Sequence, residues 1–400
     1  MSEALRHVVV SASAAAAIRS GAVRTLRWEL RDGGDLARVG GEPGDDVKVV
    51  SAGAGPDDVH ATGEHTGFGA LLTCAEDGAL RCTAGGRDLP VTVMPAGTLA
   101  YDRVEGIFES DVVSQRSVAV LGLGSGGSTI LRELARCGIR RFLLLDHDRL
   151  EIGNVSRHES GLADVGRLKV NAMRDLVLDR NPGADVITTD LHIDPDTFGE
   201  LHGKLEAFEP DLVICATDNR ASRLLVNRLC LIGGVPSIYG GVFRRAYGGQ
   251  VLRVIPGLTP CYQCFVSALP DMAADREIGS AEDAAAIAYS DRPVAVEPGL
   301  ASDIAPIALH MVRLALVELL DETPSTLDSL RADLVAPLYL WLNRRETGTD
   351  YADWTPMATG IDELSILRWY GIDLPRNEHC PACGTMQIPA QPAYAANRNT

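Results

Sequence analysis

From residue 117 onward, short aliphatic runs alternate with stretches whose apolar residues recur at helical spacing. Val118-Ala119-Val120-Leu121 feeds Gly122-Leu123-Gly124-Ser125-Gly126-Gly127-Ser128, and a helical pattern then closes at Gly138. The pattern predicts strands at 117–121, 141–145, 185–190, 211–215 and 236–240, and helices at 128–137, 168–180 and 219–232. Asn181-Pro182-Gly183 and Gly233-Gly234 stop the last two helices. Short strands alternating with helices predict an α/β fold: a Rossmann-like mixed, mostly parallel sheet flanked by helices. Further on, 242–247 and 250–255 read as antiparallel strands, 265–300 as a long loop with a short helix at 281–289, and 304–320 as a buried helix. A strand at 337–342 and a helix at 361–370 follow, and the tail from 389 to 400 reads as disordered.

Residues 1–98 follow another pattern. Short strand-like pieces at 25–30, 47–50, 79–82 and 89–93 are separated by turn signals, which predicts a small strand-rich domain of unassigned role. Pro95-Ala96-Gly97 marks its boundary with a second domain, 99–388. Val8–Ile18 is apolar, but Ser11 and Ser13 interrupt it and Glu3 weakens a basic start, so a strand and helix fits better than a signal peptide. His60, Glu64 and His65 match no metal-ligand spacing and read as solvated loop residues.

Composition adds exclusions. A net charge of −17 argues against a general nucleic-acid binder, although it allows a local basic pocket. No apolar stretch reaches the length of a membrane span, which points away from a membrane protein and toward a cytoplasmic one. Nine cysteines, an odd count, do not suggest a disulfide framework.

The glycine turn joins a strand to a helix, and the next strand ends in Asp146. Glycine permits close backbone approach to a phosphate, the helix start offers N–H groups, and a strand-end acid can hold ribose hydroxyls. A turn packed for purely structural reasons is the alternative, and an NAD-dependent oxidoreductase uses the same three parts. Downstream come Asp148, Asn154, Arg157 and Lys169, then Ala216-Thr217-Asp218-Asn219 after the strand 211–215. Asp146 and Asp218 both close strands that converge on one crevice, and Arg157 and Lys169 bring cations to it. Carboxylates and cations together suit a nucleoside triphosphate with Mg²⁺ better than a dinucleotide.

Gly122-x-Gly124-x-x-Gly127, Asp146-x-Asp148, Asn154-x-x-Arg157, Lys169 and Thr217-Asp218-Asn219 resemble the ThiF/MoeB/HesA superfamily, the adenylating enzymes at the root of ubiquitin activation, over about residues 100–384. The resemblance implies an adenylyltransferase that uses ATP and Mg²⁺ to activate the C-terminal carboxylate of a ubiquitin-like or sulfur-carrier protein. It implies that Asp146 binds the ribose, that Asn154, Arg157 and Lys169 contact phosphates, and that Asp218 is the essential carboxylate beside Asn219. Arg103, in Tyr101-Asp102-Arg103, resembles an arginine that reaches the opposite subunit's site, which implies a homodimer. A nucleotide-binding scaffold without catalysis is the alternative within the same fold.

Cys261-x-x-Cys264 and Cys380-x-x-Cys383 have the knuckle spacing of a structural zinc site, and many members of that superfamily carry one. A redox pair or reduced core thiols are the alternatives. Members that pass on a thioester keep a cysteine in the loop before a segment like Val296-Glu297-Pro298-Gly299. Here no cysteine lies between Cys264 and Cys380. The expectation is therefore direct attack on the adenylate by a partner's nucleophile, or a cysteine supplied by the partner, with a cysteine of the N-terminal domain (Cys74 or Cys82) as the remaining alternative. The extra N-terminal domain favours a role in protein, peptide or RNA modification over sulfur transfer.

Overall fold

The computed structural model describes residues 5–31, 36–40, 47–50, 70–75, 77–94, 106–269, 298–320, 323–349, 351–355, 357 and 363–384. His60, Glu64, His65, the Tyr101-Asp102-Arg103 motif, the expected helix at 281–289 and the tail lie outside them. The chain divides into two compact units, Met1–Ala100 and Tyr101–Thr400.

The first unit holds β1 (His7–Val10), α1 (Ala12–Arg19), β2 (Thr25–Leu26), β3 (Trp28–Arg31), β4 (Leu36–Val39), β5 (Val47–Val50), β6 (Ala70–Cys74), β7 (Leu80–Ala84), β8 (Arg87–Leu89) and β9 (Val91–Val93). They form a four-stranded sheet, β3-β4-β1-β9, and a five-stranded sheet, β2-β5-β6-β7-β8. β1 runs parallel to both of its neighbours, β4 and β9. Val8, Val10, Ala14, Ala15 and Ile18 bury a β1–α1 seam against Leu26, Val47 and Leu72. Strand spacing revealed β5, but β4 and β6 carry too little contrast with their glycine- and alanine-rich flanks to stand out.

The second unit is built on an eight-stranded sheet in the order β12-β11-β10-β13-β14-β15-β16-β17. Its strands are β10 (Ser117–Leu121), β11 (Arg141–Leu145), β12 (Asp185–Thr189), β13 (Leu212–Cys215), β14 (Ser237–Val242), β15 (Gly248–Val254), β16 (Leu338–Leu342) and β17 (Trp369–Ile372). The first five pair in parallel and the last three are antiparallel. The helices are α2 (Ser110–Val113), α3 (Ser125–Arg136), α4 (Lys169–Arg180), α5 (Phe198–Phe208), α6 (Arg220–Gly233), α7 (Tyr262–Ala268), α8 (Ala301–Leu320) and α9 (Asp328–Asp333). Every residue of β10 is buried. Val118 and Val120 join one core with α3, α4 and α8, while Ala119 and Leu121 join another with α5, α6 and α7. That division is the two-residue strand period acting on a sheet covered on both faces.

Two expected elements need correction, and one helix was not expected. The expected strand at 242–247 stops at Val242 and gives way to a turn in which Arg245 and Ala246 both adopt positive φ. The expected helix at 361–370 is absent from its described part: Leu367 sits at φ 60°, and Trp369–Ile372 is a strand on β16. Cross-strand pairing of Trp369 with Trp341 outweighs the helical spacing of the leucines. Helix α5 went unread although Phe198, Leu201, Leu205 and Phe208 carry helical spacing.

Candidate active site

Strand order reverses around β10, which has β11 on one side and β13 on the other. The carboxyl ends of β10, β11 and β13 therefore share one crevice, the position at which open α/β sheets take their ligands. Gly122 has φ +88°, and a side chain there would lie 2.8 Å from the backbone of Ala216 and Thr217. A Cβ on Gly127 would sit 2.0 Å from the Gly122 carbonyl oxygen. Both glycines are thus dictated by close backbone approach. Gly124 is the N-cap of α3 and makes no side-chain cap bond, so the helix start is not closed by the chain's own side chain.

Asp146 is buried and holds this turn. Its Oδ2 accepts the Leu123 N–H at 2.6 Å and its Oδ1 accepts the Asp148 N–H at 2.8 Å. Burial pushes its carboxyl above the ordinary value, against the pull of Lys169 and the two N–H bonds. Asp148 is exposed and takes the Lys169 Nζ at 2.6 Å, while Lys169 itself is buried. Burial raises the Asp148 carboxyl, but the Lys169 bond and charge outweigh it and hold the group below the usual carboxylate range. Of the two acids, Asp146 thus anchors the turn through both oxygens, and Asp148 is the exposed one.

Between them and α4 the chain makes an excursion closed at its neck by an Arg149–Leu168 bridge and by Leu150–Arg167 bonding. Asn154 Oδ1 accepts the Glu151 N–H at 2.9 Å and caps a short turn, which fixes the backbone that carries Arg157. Arg157 approaches Gly299 at the entry to α8, with 3.8 Å between Nη1 and the position of a Cβ there. Ile304 of α8 lies 3.9 Å from the corresponding position on Gly126, so α8 begins beside the glycine turn.

On the β13 side, Asp218 is exposed. Asn219 caps α6, with Oδ1 accepting the Ser222 N–H at 2.8 Å. That cap sets the direction of the helix and leaves Asp218 at the crevice. Sequence spacing did not reveal two positioning side chains. His158 bonds the Leu123 carbonyl at 2.8 Å through Nε2 and accepts the Ser160 N–H at 2.9 Å through Nδ1. Those partners fix Nε2 as the protonated nitrogen, and burial lowers the imidazole's pKa, which keeps it neutral. Its only signal was its place after Arg157. The buried Arg223 donates to the Thr217 carbonyl through Nε and Nη2, at 3.0 and 2.6 Å, and nothing in the sequence pattern marked it.

The four knuckle cysteines meet. Sγ separations are 3.8 Å for Cys261–Cys264, 3.7 Å for Cys261–Cys380 and 3.4 Å for Cys264–Cys383. A tetrahedron with Zn–S near 2.3 Å has edges of about 3.8 Å, so the donor set fits zinc. Asn227 fixes the start of α7 by accepting the Tyr262 N–H at 2.9 Å, and Arg376 bonds the carbonyls of Gly257 and Cys383 across the knuckle. Burial disfavours the thiolates of four other cysteines: it pushes the half-buried Cys137 and the buried Cys82 up to about 11 and Cys230 up to about 12, and it raises Cys215.

The ThiF family profile matches residues 103–332. Ubiquitin-like modifier-activating enzyme 5 of Branchiostoma floridae is 34% identical over 178 residues, 42% of this chain and 43% of that protein. The Caenorhabditis briggsae enzyme of the same name is 31% identical over 172 residues, 42% of this chain and 40% of that protein. The chain thus spans less than half the length of these curated relatives. Escherichia coli MccB, in a crystal structure with ATP, is 19% identical and covers 69% of each chain, with a TM-score of 0.47.

Proposed function

The chain belongs to the ThiF family, and from that premise we propose that it is an ATP-dependent adenylyltransferase that activates the carboxylate of a polypeptide, either a ubiquitin-like protein or a peptide. The observation that carries the reading is the convergence on one crevice of the uncapped α3 start, the Lys169–Asp148 pair and Asp218.

The phosphates of ATP lie at the start of α3, where N–H groups and the helix dipole favour anions. Asp146 is expected at the ribose, but with both its oxygens on backbone N–H groups the ribose hydroxyls are assigned to the exposed Asp148, and Asp146 keeps the turn in shape. Arg157 and Lys169 offset the charge that builds at the α-phosphorus, and Asn154 positions Arg157. Asp218 would hold Mg²⁺, which would supply further charge neutralisation at the phosphates. A substrate carboxylate oxygen attacks the α-phosphorus, the bond to the bridging oxygen breaks, and pyrophosphate leaves with the electron pair. The residues align and neutralise, and no proton transfer is required.

Arg103 of a second copy completes the charge around the triphosphate in a homodimer. Cys261, Cys264, Cys380 and Cys383 would hold Zn²⁺, which would tie the C-terminal segment to α7 outside the reacting centre. The raised thiols of Cys82, Cys137 and Cys230, and the lack of cysteine between 264 and 380, favour transfer of the acyl group straight to a partner's nucleophile. The separate N-terminal unit favours a role in protein or peptide modification over sulfur transfer.

Titration calorimetry tests the nucleotide assignment. Mg-ATP should bind and NAD should not. Asp148→Ala should weaken ATP about tenfold, the loss of one charge-assisted hydrogen bond. Tighter binding of NAD than of Mg-ATP would overturn the reading.

A further inference from the structure

A cleft of about 490 Å³ lies in the first unit, lined in part by Val9, Arg27, Trp28, Arg38, Val39 and Met94. Consecutive residues at the start of β3 and at the end of β4 line it, so it crosses the end of the sheet and not one face. β3 antiparallel to β4 pairs Trp28 with Val39 and Glu29 with Arg38, which brings those two strand ends together. The cleft therefore sits outside the carboxyl ends of the parallel strands β4, β1 and β9, the place where parallel strands leave room for ligands.

Its chemistry has two parts. Val9, Val39, Met94 and Trp28 give an apolar floor, and Trp28 also packs on the core of the unit. Arg27 and Arg38 are exposed and supply two guanidinium groups, opposed by the single carboxylate of Glu29. Residues 1–100 carry nine basic against thirteen acidic side chains, so this is a local reversal of the unit's charge. Guanidinium forks suit carboxylates, and Glu29 disfavours a multiply charged phosphate. β3 is also an edge strand of its sheet among the described residues. An extended chain that enters the cleft from that edge and crosses the strand ends can turn alternate side chains toward the arginines and toward the apolar floor.

We propose that this cleft docks an extended polypeptide segment in which carboxylate and apolar side chains alternate, with the carboxylates on Arg27 and Arg38. The binding requires neither ATP nor the crevice of the second unit, so it stands or falls separately from the adenylation reading.

The test is fluorescence anisotropy of the full chain, without nucleotide, using a fluorescein-labelled hexapeptide of alternating glutamate and valine. The wild-type chain should bind it, should bind the lysine–valine counterpart at least tenfold more weakly, and should not release it to millimolar free glutamate. The Arg27→Gln/Arg38→Gln variant should lose at least tenfold in affinity with an unchanged circular dichroism spectrum. Arg81→Gln, at an exposed arginine outside the cleft lining, should bind like wild type. No binding by wild type, equal binding of the lysine peptide, release by free glutamate, or undiminished binding by the double variant would each overturn the proposal.

Discussion

Two parallel strands in this chain run directly into helices, and they end differently. β1 enters α1 through Ser11, whose Oγ accepts the Ala14 N–H at 3.1 Å and closes the helix start. β10 enters α3 through Gly122-Leu123-Gly124 with no side-chain cap. The first junction satisfies itself, and its unit turns to arginines for any anion it takes. The second is a backbone shape held from outside, by Asp146 and His158 on Leu123 and by contact of Gly122 with Ala216 and Thr217. The helix start at Gly124 is left without a side-chain cap, and the turn before it is shaped by neighbouring strand ends.

That contrast can be broken by substitution. The largest effect is expected from Gly127→Val. Its side chain would collide with the Gly122 carbonyl, and a loss on the order of 4 kcal/mol is expected for such backbone overpacking, read as a lowered denaturant midpoint. ATP binding should disappear with it. Next is Cys380→Ser. Metal analysis should fall from about one zinc per chain to well below one, and hydrogen exchange should speed up across Arg376–Gly384.

A pH effect of intermediate size should come from His310 on α8. It is buried, stacked on Trp369 with ring centroids 4.0 Å apart, and burial, aided by Arg313, lowers its pKa from 6.5 to about 4. Between those values the unfolded chain binds a proton that the folded chain does not. Stability should therefore fall as pH drops from 6.5 toward 4, by up to about 1.4 kcal/mol per pH unit. His310→Phe should flatten that dependence in urea titrations, and an unchanged slope would remove His310 as its cause. The smallest effect is expected from Ser11→Ala, about 1 kcal/mol for a lost cap, with no change in ATP binding.

Much of the second unit was legible because a doubly covered parallel sheet writes continuous apolar strands and long helical periods. β10 and β11 match the expected ranges to the residue. Cys261, Cys264, Cys380 and Cys383 were legible because ligand spacing is a local property, although their meeting is not. Asp146 is expected to hold the ribose, but spacing does not show that its two oxygens take the Leu123 and Asp148 N–H groups. Asn219 was read as a ligand residue, and its amide is engaged in capping α6. His158 and Arg223 act on backbone carbonyls, and such partners leave no residue pattern. β17 was misread because Trp369 answers to Trp341, a pairing across strands that no local period encodes.

The central claim is that the crevice at the ends of β10, β11 and β13 transfers AMP to a polypeptide carboxylate. It is tested most directly by exchange of labelled pyrophosphate into ATP in the presence of a small-protein and peptide fraction from the source cells. Label should enter ATP with the wild-type chain and fall at least a hundredfold in Asp218→Ala and Arg157→Ala, each retaining a wild-type circular dichroism spectrum. Absence of exchange in wild type, or near-wild-type exchange in either variant, would contradict it.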